Sequence, residues 1–181
     1  RISKPPASAK MKSFPFFFKL KDLPCLVVGG GEGARHKANL LHKAGAQVSI
    51  LAESLHPSTE QFVADSGVIH LHSSYQSKYL EGVRLVVAAE EDELNRRIAQ
   101  DARDKGIFVN AVDMPEISDF YFPSIVDRNP ITIAIGSGGA SPVLVRHTRA
   151  MLETWLPPKL GGLGELVASV KDKARAKFPD L

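Results

Sequence analysis

The chain has 181 residues, of which 44% are hydrophobic and 24% are charged, and its formal net charge is +3. This composition is typical of a globular protein with a buried core. The mild basic excess fits an anionic ligand, but no stripe of basic and aromatic residues indicates a nucleic-acid surface. No apolar run approaches the roughly 20 residues that span a bilayer, so we expect no membrane partner.

The single cysteine, Cys25, cannot form an intrachain disulfide, which favours a reducing, cytoplasmic setting. It lies in an apolar run, so we expect a buried structural thiol rather than a reactive one. Residues 1–10 are polar and basic and lack the apolar centre of a secretory signal. Because Met11 resembles a natural start, we treat these ten residues as an extension and leave them out of the fold prediction.

Strand and helix signals alternate through the first two thirds of the chain. Short apolar runs predict strands over residues 25–28, 47–51, 68–71, 83–89 and 107–112. Between them, patterns with helical spacing predict helices over 34–44, 58–65 and 91–105, and Gly45 and Gly106 end the first and the last of these. Strands that alternate with helices in this way predict an α/β fold with a Rossmann-like parallel sheet.

The pattern changes after Asp113. A loop over 114–119 is followed by an antiparallel hairpin, with strands over 120–124 and 131–136 and a turn over 127–130. A glycine-rich turn then leads into a helix over 142–156, with Ser141 as its N-cap, and a last helix is predicted over 164–178. The sequence thus predicts three parts: a Rossmann domain over 11–119, a small α+β segment over 120–156 and a C-terminal helical segment over 157–181.

A glycine-rich loop joins the first predicted strand to the first helix. Its sequence, Gly29 to Ala34, fits the dinucleotide-binding pattern G-x-G-x-x-A. Gly29 permits a tight turn, Gly31 leaves the backbone open to a pyrophosphate, and Ala34 lets the helix pack closely on the sheet. We predict a dinucleotide site made by Gly29, Gly31, Glu32, Gly33 and Ala34; the alternative is a glycine turn in a protein that binds none.

An acidic residue, Glu53, falls about 20 residues beyond the glycine loop, where an acid accepts hydrogen bonds from ribose hydroxyls and repels a 2′-phosphate. This spacing favours NAD over NADP, with Ser54 beside Glu53 as a further cofactor residue. Ala88 and Ala89, at the end of the fourth strand, are small enough to let the cofactor lie over the sheet edge. The alternatives are a solvated loop acid at 53 and ordinary small core residues at 88 and 89.

Asp113 follows the fifth predicted strand. Ligands of open α/β sheets bind beyond the carboxyl ends of the strands, which places this carboxylate near the nicotinamide of a bound dinucleotide. From the residues alone, a carboxylate in the place of Asp113 is more often the cap of a loop than a catalyst.

Several segments spread from about Ser13 to Phe178 form a more specific combination than the glycine loop alone. They are Ser13-Phe14-Pro15-Phe16-Phe17-Phe18-Lys19-Leu20, Val28-Gly29-Gly30-Gly31, Arg35-His36-Lys37-Ala38, Asn110-Ala111-Val112-Asp113, Phe122-Pro123-Ser124-Ile125-Val126-Asp127-Arg128 and Ile135-Gly136-Ser137-Gly138-Gly139-Ala140-Ser141-Pro142. This combination resembles the precorrin-2 dehydrogenase/sirohydrochlorin ferrochelatase family, which includes the N-terminal half of siroheme synthase. Gly33 departs from the pattern, because a larger residue is common there, and it makes the loop more flexible.

The resemblance implies an activity and several roles. The family oxidises precorrin-2 to sirohydrochlorin with NAD, and many members then insert ferrous iron to give siroheme. The aspartate that matches Asp113 is its acid/base residue for both steps, and the serine that matches Ser137 lies in the tetrapyrrole site and is phosphorylated in some members. The family forms homodimers through the segment that corresponds to 120–156. We assign Asn110, beside this aspartate, to the substrate site as well.

The substrate of this family carries many carboxylates, so its site should present cations. Arg146 and Arg149, with His147, lie on the predicted helix over 142–156, and arginine pairs bidentately with carboxylates. The alternative is a solvated helix face. No resident metal site is predicted, since His70 and His72 share a strand face without a third ligand.

Two other functions stay open from the sequence. A regulatory NAD-sensing module would share the Rossmann domain but would need neither Asp113 nor the glycine-rich turn. A dehydrogenase for another small acid is the second alternative. The sequence also leaves open whether ferrous iron is a substrate and whether a methyltransferase domain follows in a longer parent protein.

Overall fold

The computed structural model describes residues 13–162 together with residues 164, 166 and 170. They divide into two compact units. Residues 16–121 form the first unit, and the second is built from the residues that follow together with those before residue 16. The extension over 1–10 and most of the helix predicted over 164–178 lie outside the described residues, and the division into three parts stays a prediction.

The first unit contains a parallel sheet with helices in its connections. Its elements are β1 (Pro24–Val28), α1 (Glu32–Lys43), β2 (Gln47–Leu51), α2 (Pro57–Ser66), β3 (Ile69–Leu71), β4 (Leu85–Ala88), α3 (Asp92–Asp104) and β5 (Phe108–Ala111). The strand order is β3-β2-β1-β4-β5, and every neighbouring pair is parallel. The predicted Rossmann-like α/β fold is therefore confirmed.

The register of the strands aligns their ends. Val28 of β1 lies opposite Leu51 of β2 and Ala88 of β4, and Ala88 in turn lies opposite Ala111 of β5. Leu51 also lies opposite Leu71, the last residue of β3, so all five strands end at one level, which we call the carboxyl edge. The loops that carry the candidate site residues leave from this edge. The central strands β1 and β4 are apolar runs that are buried on both faces, as is typical of a parallel sheet.

Within the first unit, the predicted elements and the observed ones differ most around β4. The prediction placed this strand over 83–89, but it begins at Leu85. Residues 77–80 form a short 3₁₀ helix, Gly82 adopts a positive φ of 74°, and the Val83 N–H donates to the Leu80 carbonyl at 3.2 Å. Val83 thus belongs to a turn. A second 3₁₀ helix, Pro115–Ile117, lies in the predicted loop over 114–119.

The second unit contains the predicted hairpin and helix, as β6 (Ser124–Arg128), β7 (Ile131–Ile135) and α4 (Pro142–Trp155). The first strand was predicted over 120–124, which is wrong, because pairing begins at Ser124 and continues through Arg128. Pro123 has no N–H for a ladder, whereas the β-branched residues after it fit a pleated sheet. The turn is correspondingly tighter than predicted, and the Asp127 carboxylate accepts from the Asn129 N–H at 3.0 Å.

Both ends of α4 have side-chain partners. The Ser141 hydroxyl accepts from the Leu144 N–H at 3.2 Å, so the predicted N-cap is confirmed. At the other end, the Arg128 guanidinium donates to the Glu153 carbonyl at 3.2 Å and to the Leu156 carbonyl at 3.5 Å. These are carbonyls that a helix end leaves without an intrahelical partner, so Arg128 ties the hairpin to α4.

Cys25 lies in the middle layer of the first unit, with 2% of its surface exposed. Burial raises the pKa of its thiol to about 11, so the thiol is protonated and unreactive at neutral pH. The prediction of a buried structural cysteine is confirmed. None of the helices in the described part of the chain has the length and apolar character needed to cross a bilayer.

Candidate functional site

The glycine loop turns sharply between β1 and α1. Gly29 adopts a positive φ of 131°, and a Cβ there would lie 2.6 Å from the Ala89 carbonyl oxygen. A Cβ on Gly31 or Gly33 would meet no atom within 4 Å, so the outer side of the loop is open. Ala34 is buried where α1 packs on the sheet. The loop therefore presents bare backbone and the first turn of α1 to the space above the carboxyl edge.

Contacts from the segment after β2 hold this loop. The His56 N–H donates to the Gly30 carbonyl at 2.9 Å, and the Thr59 hydroxyl donates to the Gly31 carbonyl at 3.3 Å. A Cβ on Gly30 would collide with the Ser54 carbonyl oxygen. Sequence analysis missed Gly30 and Thr59. The triple glycine was a signal for the first, whereas nothing in the sequence distinguishes a fully buried threonine from a surface one.

A cleft of about 290 Å³ opens at the carboxyl edge. Glu53 and Ser54 line it, as the spacing from the glycine loop suggested. The other residues that line it are Val28, Leu51, Ala52, Ser73, Ser74, Tyr75, Glu90 and Leu94. Glu90 is a second acid that the sequence analysis did not assign, and its pKa is raised by burial and by neighbouring Glu91. Ala88, predicted as a cofactor residue, has no exposed surface, which assigns it to the core of the sheet.

Asp113 occupies the third position of a β-turn that follows β5. The Met114 N–H donates to the Ala111 carbonyl at 3.2 Å and closes this turn. The φ of Asp113 is 60°, in the left-handed region that glycine adopts freely and other residues rarely do. Its side chain is exposed. A carboxylate in a strained backbone position at the end of a strand is a candidate for chemistry.

Lys37 is electrostatically coupled to this aspartate. It lies on α1, one turn beyond the glycine loop, and is half-buried. Burial lowers the pKa of the Lys37 ammonium, and the negative charge of Asp113 opposes that lowering. The sequence analysis quoted Lys37 only as part of a motif, because no local pattern relates residue 37 to residue 113.

The predicted substrate residues have other contacts in the structure. In the first unit, Asn110 is almost fully buried and its amide donates to the Phe120 carbonyl at 2.8 Å, which is a structural contact. In the second unit, the Ser137 hydroxyl accepts from the Ser141 N–H at 3.1 Å, and Arg149 pairs with Glu153 at 2.9 Å. Arg146 is exposed on α4. Their roles toward a substrate stay predictions.

The described residues contain no group of three or more His, Cys, Asp and Glu side chains that would hold a metal ion. The rings of His70 and His72 lie edge to face with their centroids 5.5 Å apart, as their shared strand face implied. Two imidazoles are too few for a structural zinc site, which has four protein ligands.

A protein-family model described as "Putative NAD(P)-binding" matches residues 16–124, more than half of the chain. The chain belongs to this NAD(P)-binding family. The prediction that the chain binds NAD is thereby confirmed, while the residues assigned to the site stay predictions.

Relatives of this NAD(P)-binding chain include siroheme synthases. That of Psychrobacter sp. (strain PRwf-1) is 45% identical over 172 residues, which are 94% of this chain and 35% of that protein. That of Methylobacillus flagellatus is 43% identical over 169 residues, which are 93% of this chain and 36% of that protein. The resemblance found in the sequence is therefore confirmed, and the chain spans about a third of the length of these relatives.

A solved structure with the same fold is "SirC, precorrin-2 dehydrogenase". It covers 93% of this chain and 82% of its own chain, with a TM-score of 0.77 and 19% sequence identity. At this identity the likeness concerns the fold, and it agrees with the parallel sheet described above.

The geometry of the loop and cleft fits the cofactor of an NAD(P)-binding family. The open backbone at Gly31 and Gly33 leaves room for a pyrophosphate, and the N–H groups of the first turn of α1 are free to bind it. Glu53 lines the adjoining cleft, where a ribose hydroxyl would find an acceptor.

The strain at Asp113 predicts an unusual order of stability among its variants. Asp113→Ala should lower the free energy of unfolding by about 1 kcal/mol, because alanine tolerates a positive φ less well than aspartate. Asp113→Gly should be at least as stable as the unmodified chain, since glycine adopts this φ without strain. Urea denaturation followed by circular dichroism measures the difference.

A matched control is Asp65, an exposed helical residue of α2. There the order should reverse, with the alanine variant about 1 kcal/mol more stable than the glycine variant. Equal stabilities of the alanine and glycine variants at position 113 would contradict the assignment of strain to this turn.

Proposed function

We propose that this chain oxidises precorrin-2 to sirohydrochlorin, with NAD as the hydride acceptor, in siroheme biosynthesis. The names of the relatives support this substrate, since one group consists of siroheme synthases and the structure of the same fold is a precorrin-2 dehydrogenase. Within the structure, the proposal depends on Asp113, an exposed carboxylate in a strained turn directly after the last strand of a dinucleotide-binding sheet.

The reaction removes a hydride and a proton from the tetrapyrrole. NAD, which the glycine loop and the first turn of α1 would hold, would supply the acceptor for the hydride. The Asp113 carboxylate accepts the proton, which is the work of a general base, and releases it to water before the next turnover. The glycine loop and α1 hold the pyrophosphate, so the dinucleotide is fixed at the same edge of the sheet from which the Asp113 turn leaves.

We propose candidate residues for the substrate carboxylates in each unit separately. In the second unit, Arg146 and Arg149 offer guanidinium groups and Ser137 offers a hydroxyl. The ion pair of Arg149 with Glu153 is exposed, and exchanging such a pair for a substrate carboxylate costs little. In the first unit, Asn110 stays a proposed substrate residue, and its amide nitrogen donates to the Phe120 carbonyl.

The charges of the cleft support NAD rather than NADP as the cofactor. Glu53 and Glu90 both line it, and two carboxylates would repel the 2′-phosphate of NADP. A cytoplasmic setting stays a prediction that depends on the single cysteine.

We expect Asp113→Asn to abolish oxidation while leaving cofactor binding intact. The amide has the shape of the carboxylate but cannot accept the proton, so turnover should fall by about 100-fold or more. The assay is anaerobic, with precorrin-2 and NAD, and follows the absorbance of sirohydrochlorin and of NADH. Calorimetry should give a Kd for NAD within about twofold of the unmodified chain.

Asp65→Asn, an exposed change on α2, is the control and should turn over normally. Normal turnover by Asp113→Asn would contradict the role of Asp113. If the unmodified chain binds NAD but oxidises no precorrin-2, the regulatory NAD-sensing module is the better interpretation. The same preparations, given sirohydrochlorin and ferrous ion without NAD, test for iron insertion.

The choice between NAD and NADP should depend on Glu53. Glu53→Gln removes one negative charge from the cleft, so the Kd for NADP should fall by about tenfold while that for NAD changes little. Glu90→Gln should act in the same direction. Because the pKa of Glu90 is raised, this residue takes up a proton at a higher pH than an ordinary glutamate. Calorimetric titration of both variants with NAD and with NADP measures these changes in Kd.

As the control, Glu81→Gln changes an exposed acid outside the cleft and should leave both Kd values unchanged. An unchanged Kd for NADP in both cleft variants would show that these carboxylates do not select the cofactor.

We also propose that the chain is a homodimer that associates through the segment over 120–156. On α4 the large apolar residues Val143, Leu144, Met151 and Trp155 are between 60% and 76% exposed. Burying them against a second copy would be favourable. Trp155→Asp should therefore convert a dimer to a monomer in size-exclusion chromatography with light scattering.

Ile69→Asp makes the same kind of change at an exposed residue of β3 in the first unit and should leave the dimer intact. A monomeric unmodified chain at micromolar concentration would contradict the proposed dimer.

A further inference from the structure

The segment over 117–120 covers the outer edge of β5. This strand ends the sheet, so one side of it has no neighbouring strand. The Asp119 N–H donates to the Val109 carbonyl at 2.8 Å, and the Asp119 carboxylate accepts from the Val109 N–H at 3.0 Å. Two residues further along β5, the Ala111 N–H donates to the Ser118 hydroxyl at 2.9 Å. Side chains of this segment thus replace part of the missing ladder.

Ser118 also reaches the turn that carries Asp113. Its hydroxyl oxygen lies 3.0 Å from the Met114 carbonyl and 3.1 Å from the Ala111 carbonyl, and the hydroxyl donates to one of the two. Ala111 is the first residue of that turn and Met114 is the last. The Ser118 hydroxyl therefore contacts both ends of the four-residue turn. The backbone N–H and the carboxylate of Asp119, by contrast, bond to Val109 within the strand.

The turn needs such a restraint because its third residue is strained. Asp113 adopts a φ of 60°, and its own side chain is exposed rather than packed. The bond that closes the turn, from the Met114 N–H to the Ala111 carbonyl, is 3.2 Å long. A strained conformation persists only when surrounding contacts hold it, and the Ser118 hydroxyl bonds to the two residues on which the closure depends.

We propose that Ser118 is a positioning residue, whose hydroxyl holds the Ala111–Met114 turn so that the Asp113 carboxylate points to the proton it accepts. This inference rests on the proposed function of Asp113. Ser118 itself touches neither substrate nor cofactor. A displacement of about 1 Å in a catalytic group lowers a rate by about 100-fold, so the loss of one hydroxyl can act on catalysis at a distance.

The test is Ser118→Ala, compared with the unmodified chain in the anaerobic oxidation of precorrin-2. We expect kcat to fall by about tenfold or more, with KM for precorrin-2 and the Kd for NAD changed by less than about twofold. Hydrogen exchange of the Met114 amide should become faster, because the turn that protects it is loosened.

Two comparisons separate positioning from a general loss of stability. Ser66→Ala removes a hydroxyl that donates to the Phe62 carbonyl at 2.6 Å and accepts from the Val68 N–H at 3.4 Å at the end of α2. It should leave kcat unchanged. In the double variant Ser118→Ala/Asp113→Asn, kcat should match that of Asp113→Asn within about twofold, because a positioning residue has no effect once its target is gone.

Full turnover by Ser118→Ala, or a double variant in which the two losses multiply, would overturn the proposal. If Ser118→Ala does not fold, Ser118→Cys keeps the shape of the side chain with a larger atom that is a weaker donor, and its kcat should still fall while NAD binding is retained. Full turnover by Asp113→Asn contradicts the proposed function itself. Full turnover by Ser118→Ala together with an inactive Asp113→Asn contradicts the positioning role alone.

Discussion

The close approach of three loops at the carboxyl edge is the constraint on which the rest of the site depends. The backbone at Gly29 packs against the carbonyl of Ala89, and that at Gly30 packs against the carbonyl of Ser54. Side chains at these two positions would push the loops after β1, β2 and β4 apart. Because the loops meet, the glycine loop turns outward at Gly31 and leaves its amides uncovered, which is what a pyrophosphate requires.

The same edge separates two electrostatic environments. Glu53 and Glu90 make the cleft beside β2 and β4 acidic. Their negative charges are compatible with neutral ribose hydroxyls and would repel a further phosphate. Asp113 and Lys37 are coupled to each other, so a carboxylate and an ammonium stay near one another where the turn after β5 leaves the sheet. The fold thus provides an acidic part of the edge, where we propose the cofactor, and a part that carries the carboxylate for which we propose acid/base chemistry.

Sequence analysis was most accurate where local signals are strong. The bounds of β2 matched at both ends, and α3 was one residue shorter at each end than predicted, because apolar runs and helix-ending glycines act over a few residues. The glycine loop and the spacing to Glu53 were also predictable, since both follow from what a dinucleotide requires of the chain. The strand predicted over 120–124 was misplaced because its aromatic residues favour a strand, whereas Pro123 has no N–H for a ladder and pairing begins only at Ser124.

The contacts that the sequence could not reveal are those between distant parts of the chain. The Thr59 hydroxyl donates to the Gly31 carbonyl, and the negative charge of Asp113 acts on the pKa of Lys37. The Ser118 hydroxyl accepts from the Ala111 N–H. None of these residues belongs to a periodic pattern, and each depends on how the elements pack. The positive φ of Asp113 is likewise a property of its turn, because aspartate is only modestly favoured in that region.

The covering of β5 has a consequence for the association of this protein. A bare outermost strand is a template on which another chain can pair, which leads to aggregation or strand swapping. Here Ser118 and Asp119 occupy N–H and carbonyl groups of β5, and the opposite border of the sheet is β3, a strand of only three residues. Extending this sheet from one copy to the next is therefore disfavoured at both borders, so copies of the protein are protected from polymerising through it.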